Sequence, residues 1–218
     1  MGKLADLIKK DEEAKSLIAS DSSGGASFIK LIQDVSPERR KDNLEKYVEG
    51  CESGDFIKGT DVLGTEFTFV PVFLWQQWTE WIPRNKGGGL VQKYTNFGEA
   101  RTRANSDNDL VESIEVLMML TKEGKPEGYA TFTFSGSKRR MGTTLTALTK
   151  ASAAVSQFEY KMKSYGATNK SGQPFYNVHV EQLEEVTVDL YKEIQDTRKA
   201  VIEGLTATQP ELLSSNPF

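Results

Sequence analysis

The sequence has one cysteine, Cys51, and one histidine, His179, among 218 residues. A lone cysteine excludes an internal disulfide, and a reducing compartment is the expected setting: the cytoplasm, or that of an infected host cell. His and Cys cannot supply the partners that a zinc site or a histidine-based triad requires. Cys51 sits in a polar stretch between Gly50 and Gly54 with no nearby histidine, so a thiol nucleophile is not expected there. His179 falls at one parity of the alternating run Tyr176–Val186, which is a structural position. No window of about 18 apolar residues exists to span a membrane. Met1–Ser20 mixes Lys, Asp and Glu with Leu and Ile and lacks the apolar stretch of a signal peptide. No internal repeat is found.

Nucleotide-binding signatures are missing as well. Gly136–Thr144 has five residues between its glycines, where a phosphate loop has four, and Thr143 stands where its lysine belongs. Gly87-Gly88-Gly89 opens no evident helix and is not a dinucleotide fingerprint. Asp107 and Asp109, with Asn105 and Asn108, suit turn formation better than a cation site. The inventory implies a binding protein with neither catalysis nor cofactor.

Charge is what the sequence distributes unevenly. The formal net charge is −4. Between Arg84 and Arg103, however, five basic residues face one acid, and between Gly136 and Lys170 seven face one. Ser171–Phe218 is acidic, with three basic residues against eight acids. Two basic islands in an acidic protein can follow a phosphate backbone while the rest maintains solubility.

The strongest strand signal is Glu66–Ile82, where Phe67, Phe69, Val70, Val72, Phe73, Trp75 and Trp78 succeed one another densely. Pro71 inside it predicts an edge or a bulge, and the length predicts a bend of the kind found at barrel corners. Phe28–Gln33 reads as the first strand and Asp55–Lys58 as a partner for the long one; Ser36-Pro37 starts a helical turn. Gln92–Asp109 reads as a long excursion loop. Leu110–Thr121 and Glu127–Ser135 form a hairpin joined by the five residues Lys122–Pro126. Lys138–Ser164 reads as a helix, Phe175–Val188 as the last strand and Asp189–Glu203 as a closing helix. This order does not alternate strand and helix regularly, which excludes a parallel α/β sheet. The expected fold is α+β: an OB-like antiparallel β-barrel with N-terminal and C-terminal helical additions. The expected organisation is an amphipathic helix over 1–22, the barrel with its helices over 23–204 and a mobile tail over 205–218.

All three tryptophans lie between Trp75 and Trp81. Strand parity puts Trp75 and Trp81 on one face and Trp78 on the other. Trp75 adjoins the apolar run and belongs to the core; Trp78 and Trp81 are candidates for exposure. Aromatic and basic residues then interleave through Arg84, Lys86, Lys93, Tyr94, Phe97, Arg101 and Arg103, and Lys138, Arg139 and Arg140 form the second island. Flat rings for stacking beside cations for phosphates are what single-stranded nucleic acid requires.

Phe67-Thr68-Phe69-Val70-Pro71-Val72-Phe73, Trp78-Thr79-Glu80-Trp81-Ile82-Pro83-Arg84 and Gly87-Gly88-Gly89-Leu90-Val91 together resemble bacteriophage single-stranded-DNA-binding proteins. The resemblance covers roughly 28–190 as an order of elements and is sharp around 64–91. It implies an OB-like barrel, no catalytic residue, and single-stranded DNA as partner. Such proteins often end in an acidic tail closing on Pro-Phe; here Pro217-Phe218 is present, but Glu211 is the only acid among the last 14 residues. Three roles are compatible: sequence-independent single-strand binding in phage replication or recombination, a transcription cofactor that recruits RNA polymerase, and a virion assembly protein. A homo-oligomer is compatible with each.

Overall fold

The computed structural model describes residues 27–208, apart from the side chains of Arg84 and of residues 200–208. The helix expected over 1–22 and the last ten residues of the tail lie outside the described residues. In chain order the elements are β1 (Ser27–Leu31), β2 (Phe56–Lys58), β3 (Asp61–Gly64), β4 (Glu66–Ile82), β5 (Gly89–Tyr94), α1 (Phe97–Arg103), β6 (Asp109–Lys122), β7 (Lys125–Ser135), α2 (Arg139–Ala151), β8 (Phe158–Thr168), β9 (Pro174–Glu185) and α3 (Val188–Thr208). Short 3₁₀ turns cover Pro37–Arg39, Arg84–Lys86 and Gly136–Lys138.

The strands form one sheet in the order β3-β2-β1-β7-β6-β4-β8-β9, with β5 added to β4. The sheet curls into a half-barrel. Ile29, Leu31 and Phe56 from one end share a core with Val178 and Val180 from the other. The ends meet through a side chain: the Gln33 amide donates to the Tyr176 carbonyl at 3.0 Å and accepts from the Tyr176 N–H at 2.7 Å. Gly54 lies under that tyrosine, and a Cβ there would stand 2.6 Å from its ring. The sheet is antiparallel throughout except where β1 runs parallel to β7.

β4 organises the sheet. It pairs with β6 from Thr68 to Trp81, with β8 at its start and with β5 at its end. A bulge between Pro71 and Phe73 interrupts the β6 ladder, as the missing proline N–H requires. The extra residue reverses the parity. Before it, Phe67 and Phe69 face inward and Val70 outward; after it, Leu74 faces inward and Phe73 and Trp75 outward. Inside the curl, α2 contributes the fully buried Leu145. Outside, α3 lays Leu190, Tyr191 and Ile194 on Val70, Phe73, Trp75, Leu117 and Met119. No helix of the described residues is long and apolar enough to cross a membrane.

Several sequence expectations are corrected. The stretch 92–109 is not a loop: it carries the end of β5 and all of α1, which Asn96 caps by accepting from Gly98 N at 2.7 Å and Glu99 N at 3.2 Å. The hairpin connection is two residues, Glu123 and Gly124, both at positive φ (52° and 72°), so the strands run further than the polar composition of 122–126 suggests. Lys138–Ser164 is not one helix; α2 stops at Ala151, and Phe158, Tyr160 and Met162 alternate within β8. β2 pairs with β1 and β3, not with β4. The closing helix continues to Thr208.

Gly142 tests the packing of α2. A Cβ there would meet Phe134 Cβ at 2.7 Å and Ile114 Cβ at 3.2 Å, both on core strands. Ala gains about 1 kcal/mol of helix propensity over Gly, whereas overpacking costs about 1–3 kcal/mol. Since neither contact is the flexible end of a side chain, overpacking should win. Urea unfolding of Gly142→Ala should show a net loss of stability; a more stable variant would show that α2 sits loosely.

Candidate functional site

α3 covers only part of the outer face of β4, β6 and β7. Beyond it the outward residues of those strands, with neighbours from β1 and β5, line an open groove of about 250 Å³. The register fixes its floor. Lys93, Thr79 and Val111 form one row across β5, β4 and β6; Gln77, Ser113 and Ser135 form the next across β4, β6 and β7. Glu115 and Thr133 follow, and Phe28 of β1 stands beside Thr131. Trp81 and Leu90, register partners at the tip of β4 and β5, complete the lining.

The groove combines exposed apolar walls with a buried polar floor. Trp81 is 41% exposed, Phe28 47% and Leu90 53%. Gln77, Ser113 and Glu115 are buried. Gln77 donates its Nε2 hydrogen to Glu115, and Lys93 Nζ lies 3.4 Å from the same carboxylate oxygen. Gln77 Oε1, Ser113 Oγ and Thr131 Oγ1 are buried without a hydrogen-bond partner among the described residues. An unfilled buried polar atom costs about 1–3 kcal/mol, and here Gln77 and Ser113 carry such atoms in the lining of one groove.

Glu80 holds the β5–α1 excursion in place. Although charged, it is buried, and it accepts from Tyr94 Oη at 2.7 Å, Asn105 N at 2.9 Å and Asn108 Nδ2 at 2.6 Å. These bonds, that of Tyr94 first, hold its carboxyl below the ordinary carboxylate range, and the same contact pushes the Tyr94 phenol up. Asn105 and Asn108 thus serve this carboxylate, and Asp107 pairs with Lys86 at 3.2 Å. No group of three or more His, Cys, Asp or Glu residues among the described residues is placed to hold a metal ion.

The residues singled out in the sequence divide between two faces. Trp81 and Lys93 line the outer groove. Trp78 turns to the opposite face, against Phe97 of α1 with ring centroids 5.7 Å apart. Tyr94 is buried with its hydroxyl on Glu80, so its ring is closed to a ligand. Arg101 is exposed, and Arg103, also exposed, pairs with Glu99 at 2.6 Å. From the second island, Arg139 reaches Glu112 at 2.6 Å, and Glu112 is the register partner of Trp78. The two islands therefore approach the same end of the sheet, but Arg139 arrives on the face opposite the groove. Arg140 is exposed, and burial lowers the pKa of Lys138. No acid among the described residues lies within ion-pair distance of Arg101, Lys138 or Arg140. Phe28, Gln77, Ser113 and Glu115 were not singled out. Glu115 between Ile114 and Val116, in an otherwise apolar run, was the signal available.

Fold and site define a mixed α+β protein whose curled sheet leaves part of its outer face open. Residues 19–207 match the bacteriophage family described as Pam3 phage gp34-like protein, and the chain belongs to that family. Neither a curated protein nor a solved structure matches it.

The Glu80 hub makes the excursion sensitive to acid. Its pKa is lower in the folded protein than in the unfolded chain, so its contribution is complete above the unfolded value, about 4.3, and is lost as pH falls through the folded value. Amide exchange over 89–108, corrected for intrinsic rates, should hold steady at neutral and mildly acid pH and rise below that window. Glu80→Gln should exchange faster at neutral pH. Wild-type protection that ignores acid would remove the hub from this role.

Proposed function

We propose that the protein binds single-stranded DNA, without a fixed recognition sequence, in phage DNA replication or recombination. The observation that carries the reading is the open outer groove, where exposed Trp81 and Phe28 stand beside Lys93. Rings of this kind stack on any base, and a nearby ammonium neutralises phosphate. The connectivity supports the OB-like reading. β4, β6, β7, β8 and β9 form a five-stranded antiparallel set, with α2 between the third and fourth strands and the first strand pairing both the second and the fourth. OB-folds bind oligonucleotides on the face of their second and third strands; those strands here are β6 and β7, which floor the groove. Arg101, Lys138 and Arg140, which have no acid partner among the described residues, extend the positive surface around this end of the sheet. Recruitment of a polymerase would use the same DNA affinity. An assembly role draws support from the exposed Ile82, Leu90 and Val91 at the β4–β5 tip, and copurification with virions would favour it.

A salt series of fluorescence-anisotropy titrations tests the proposal. Single strands should bind more tightly than duplex at each salt concentration, with affinity falling as salt rises. Trp81→Ala should cost about 1–3 kcal/mol with little change in the salt slope. Lys93→Met should lower the slope by about one ion. Duplex binding as tight as single-strand binding would overturn the proposal.

A further inference from the structure

We infer that the outer groove seats a single nucleobase and favours bases that carry an exocyclic amino group over thymine and uracil. The inference rests on the single-strand reading and specifies which part of the strand enters the groove.

The floor is rich in hydrogen-bond acceptors. Glu115 presents a buried carboxylate whose Oε1 serves Gln77 and Lys93, while no donor among the described residues reaches Oε2. The orientation of Gln77 follows from this contact. A carboxylate can only accept, so the amide must turn its NH₂ toward Glu115, which leaves its carbonyl oxygen as the unpartnered atom. Ser113, the register partner of Gln77, adds an unpartnered hydroxyl that can donate or accept. An entering group must therefore bring donors. On the floor a phosphate would bring only acceptors and negative charge, and the buried Glu115 opposes both, so the strand's phosphates stay at the rim, where Lys93 is partly exposed. A flat base suits the apolar walls of Trp81, Phe28 and Leu90. Cytosine, adenine and guanine bring amino hydrogens, and a carboxylate pairs well with the cytosine amino group. Thymine and uracil instead present two carbonyl oxygens flanking a single N–H.

Cytosine and uracil are nearly equal in size and differ at the edge in question. The test is the anisotropy of labelled oligo(dC) and oligo(dU) of equal length with the full-length protein, at one salt concentration and at mildly alkaline pH, where cytosine is uncharged. Oligo(dC) should bind about tenfold more tightly, as one well-made base-edge contact allows. Replacing its bases with N4,N4-dimethylcytosine removes the donors without touching the protein and should abolish the advantage. In Glu115→Gln, with folding verified by circular dichroism, the ratio should fall toward one. Lys93→Met should weaken both oligonucleotides. Equal binding, tighter binding of oligo(dU), or an advantage that survives either the dimethyl base or a folded Glu115→Gln would overturn the base pocket and leave the single-strand reading standing. Failure of both oligonucleotides to bind would overturn both.

Discussion

The bulge between Pro71 and Phe73 decides which side of β4 faces solvent. β4 and β6 stay paired from Thr68 to Trp81, so the inward and outward residues of one fix those of the other. A single extra residue, Val72, reverses the alternation of β4. Without it, Phe69 and Trp75 would share a face, and Gln77, Thr79 and Trp81 would turn inward, since a one-residue shift moves every later side chain across the sheet. With it, the first half of β4 builds the core with aromatic rings and the second half builds the groove. Proline is suited to the spot because it cannot donate to the ladder there. Its carbonyl is still used: Ser156, fully buried just before β8, donates to it at 2.6 Å.

Once that parity is set, α3 partitions the outer face. It covers the apolar patch formed by Val70, Phe73, Leu117 and Met119, and the polar floor begins where those residues end. The boundary has an energetic basis. A helix laid across Gln77, Ser113 and Glu115 would have to satisfy every buried polar atom there or bear the cost of desolvating it. The Lys93–Glu115 pair already illustrates that cost, because Glu115 is buried while Lys93 remains partly exposed. Removing one member of such a pair leaves the other charge stranded, which is generally worse than replacing both. The floor is thus a poor site for helix packing and a suitable one for a ligand that supplies its own hydrogen bonds.

Much of the core was legible in the sequence because burial and strand period coincide there. The length of β4, the distortion at Pro71, the opposed faces of Trp78 and Trp81 and the burial of Trp75 follow from pattern alone. The excursion was not legible. β5 contributes Gly89, Leu90, Val91, Gln92 and Lys93, which show no alternation because both of its faces are largely exposed. α1 is only seven residues long and is held by the Asn96 cap and by tertiary contacts. β8 was misread because Ala and Thr residues run from α2 almost to its start, so composition outweighed the short alternation of Phe158, Tyr160 and Met162. Of the two tryptophans expected at the surface, Trp81 is exposed, while Trp78 is half-buried against Phe97. The burial of Tyr94 was not legible, since it depends on a carboxylate, Glu80, from another strand.

The groove and the excursion are coupled through the last six residues of β4. Trp78 and Glu80 anchor the excursion on one face, while Gln77, Thr79 and Trp81 form the groove on the other. Lys93 and Leu90 reach the groove only because β5 pairs with this segment, and the loop that joins the excursion to β6 is held by the Asn105 and Asn108 bonds to Glu80. One strand segment therefore carries structural bonds on its inner face and ligand chemistry on its outer face. A ligand that pressed on Trp81 or drew Lys93 away from Glu115 would act on β5, and through β5 on the burial of Tyr94. The apolar wall and the cation of the groove are thus positioned by contacts on the face opposite the ligand, where a substitution can displace them without touching what they bind.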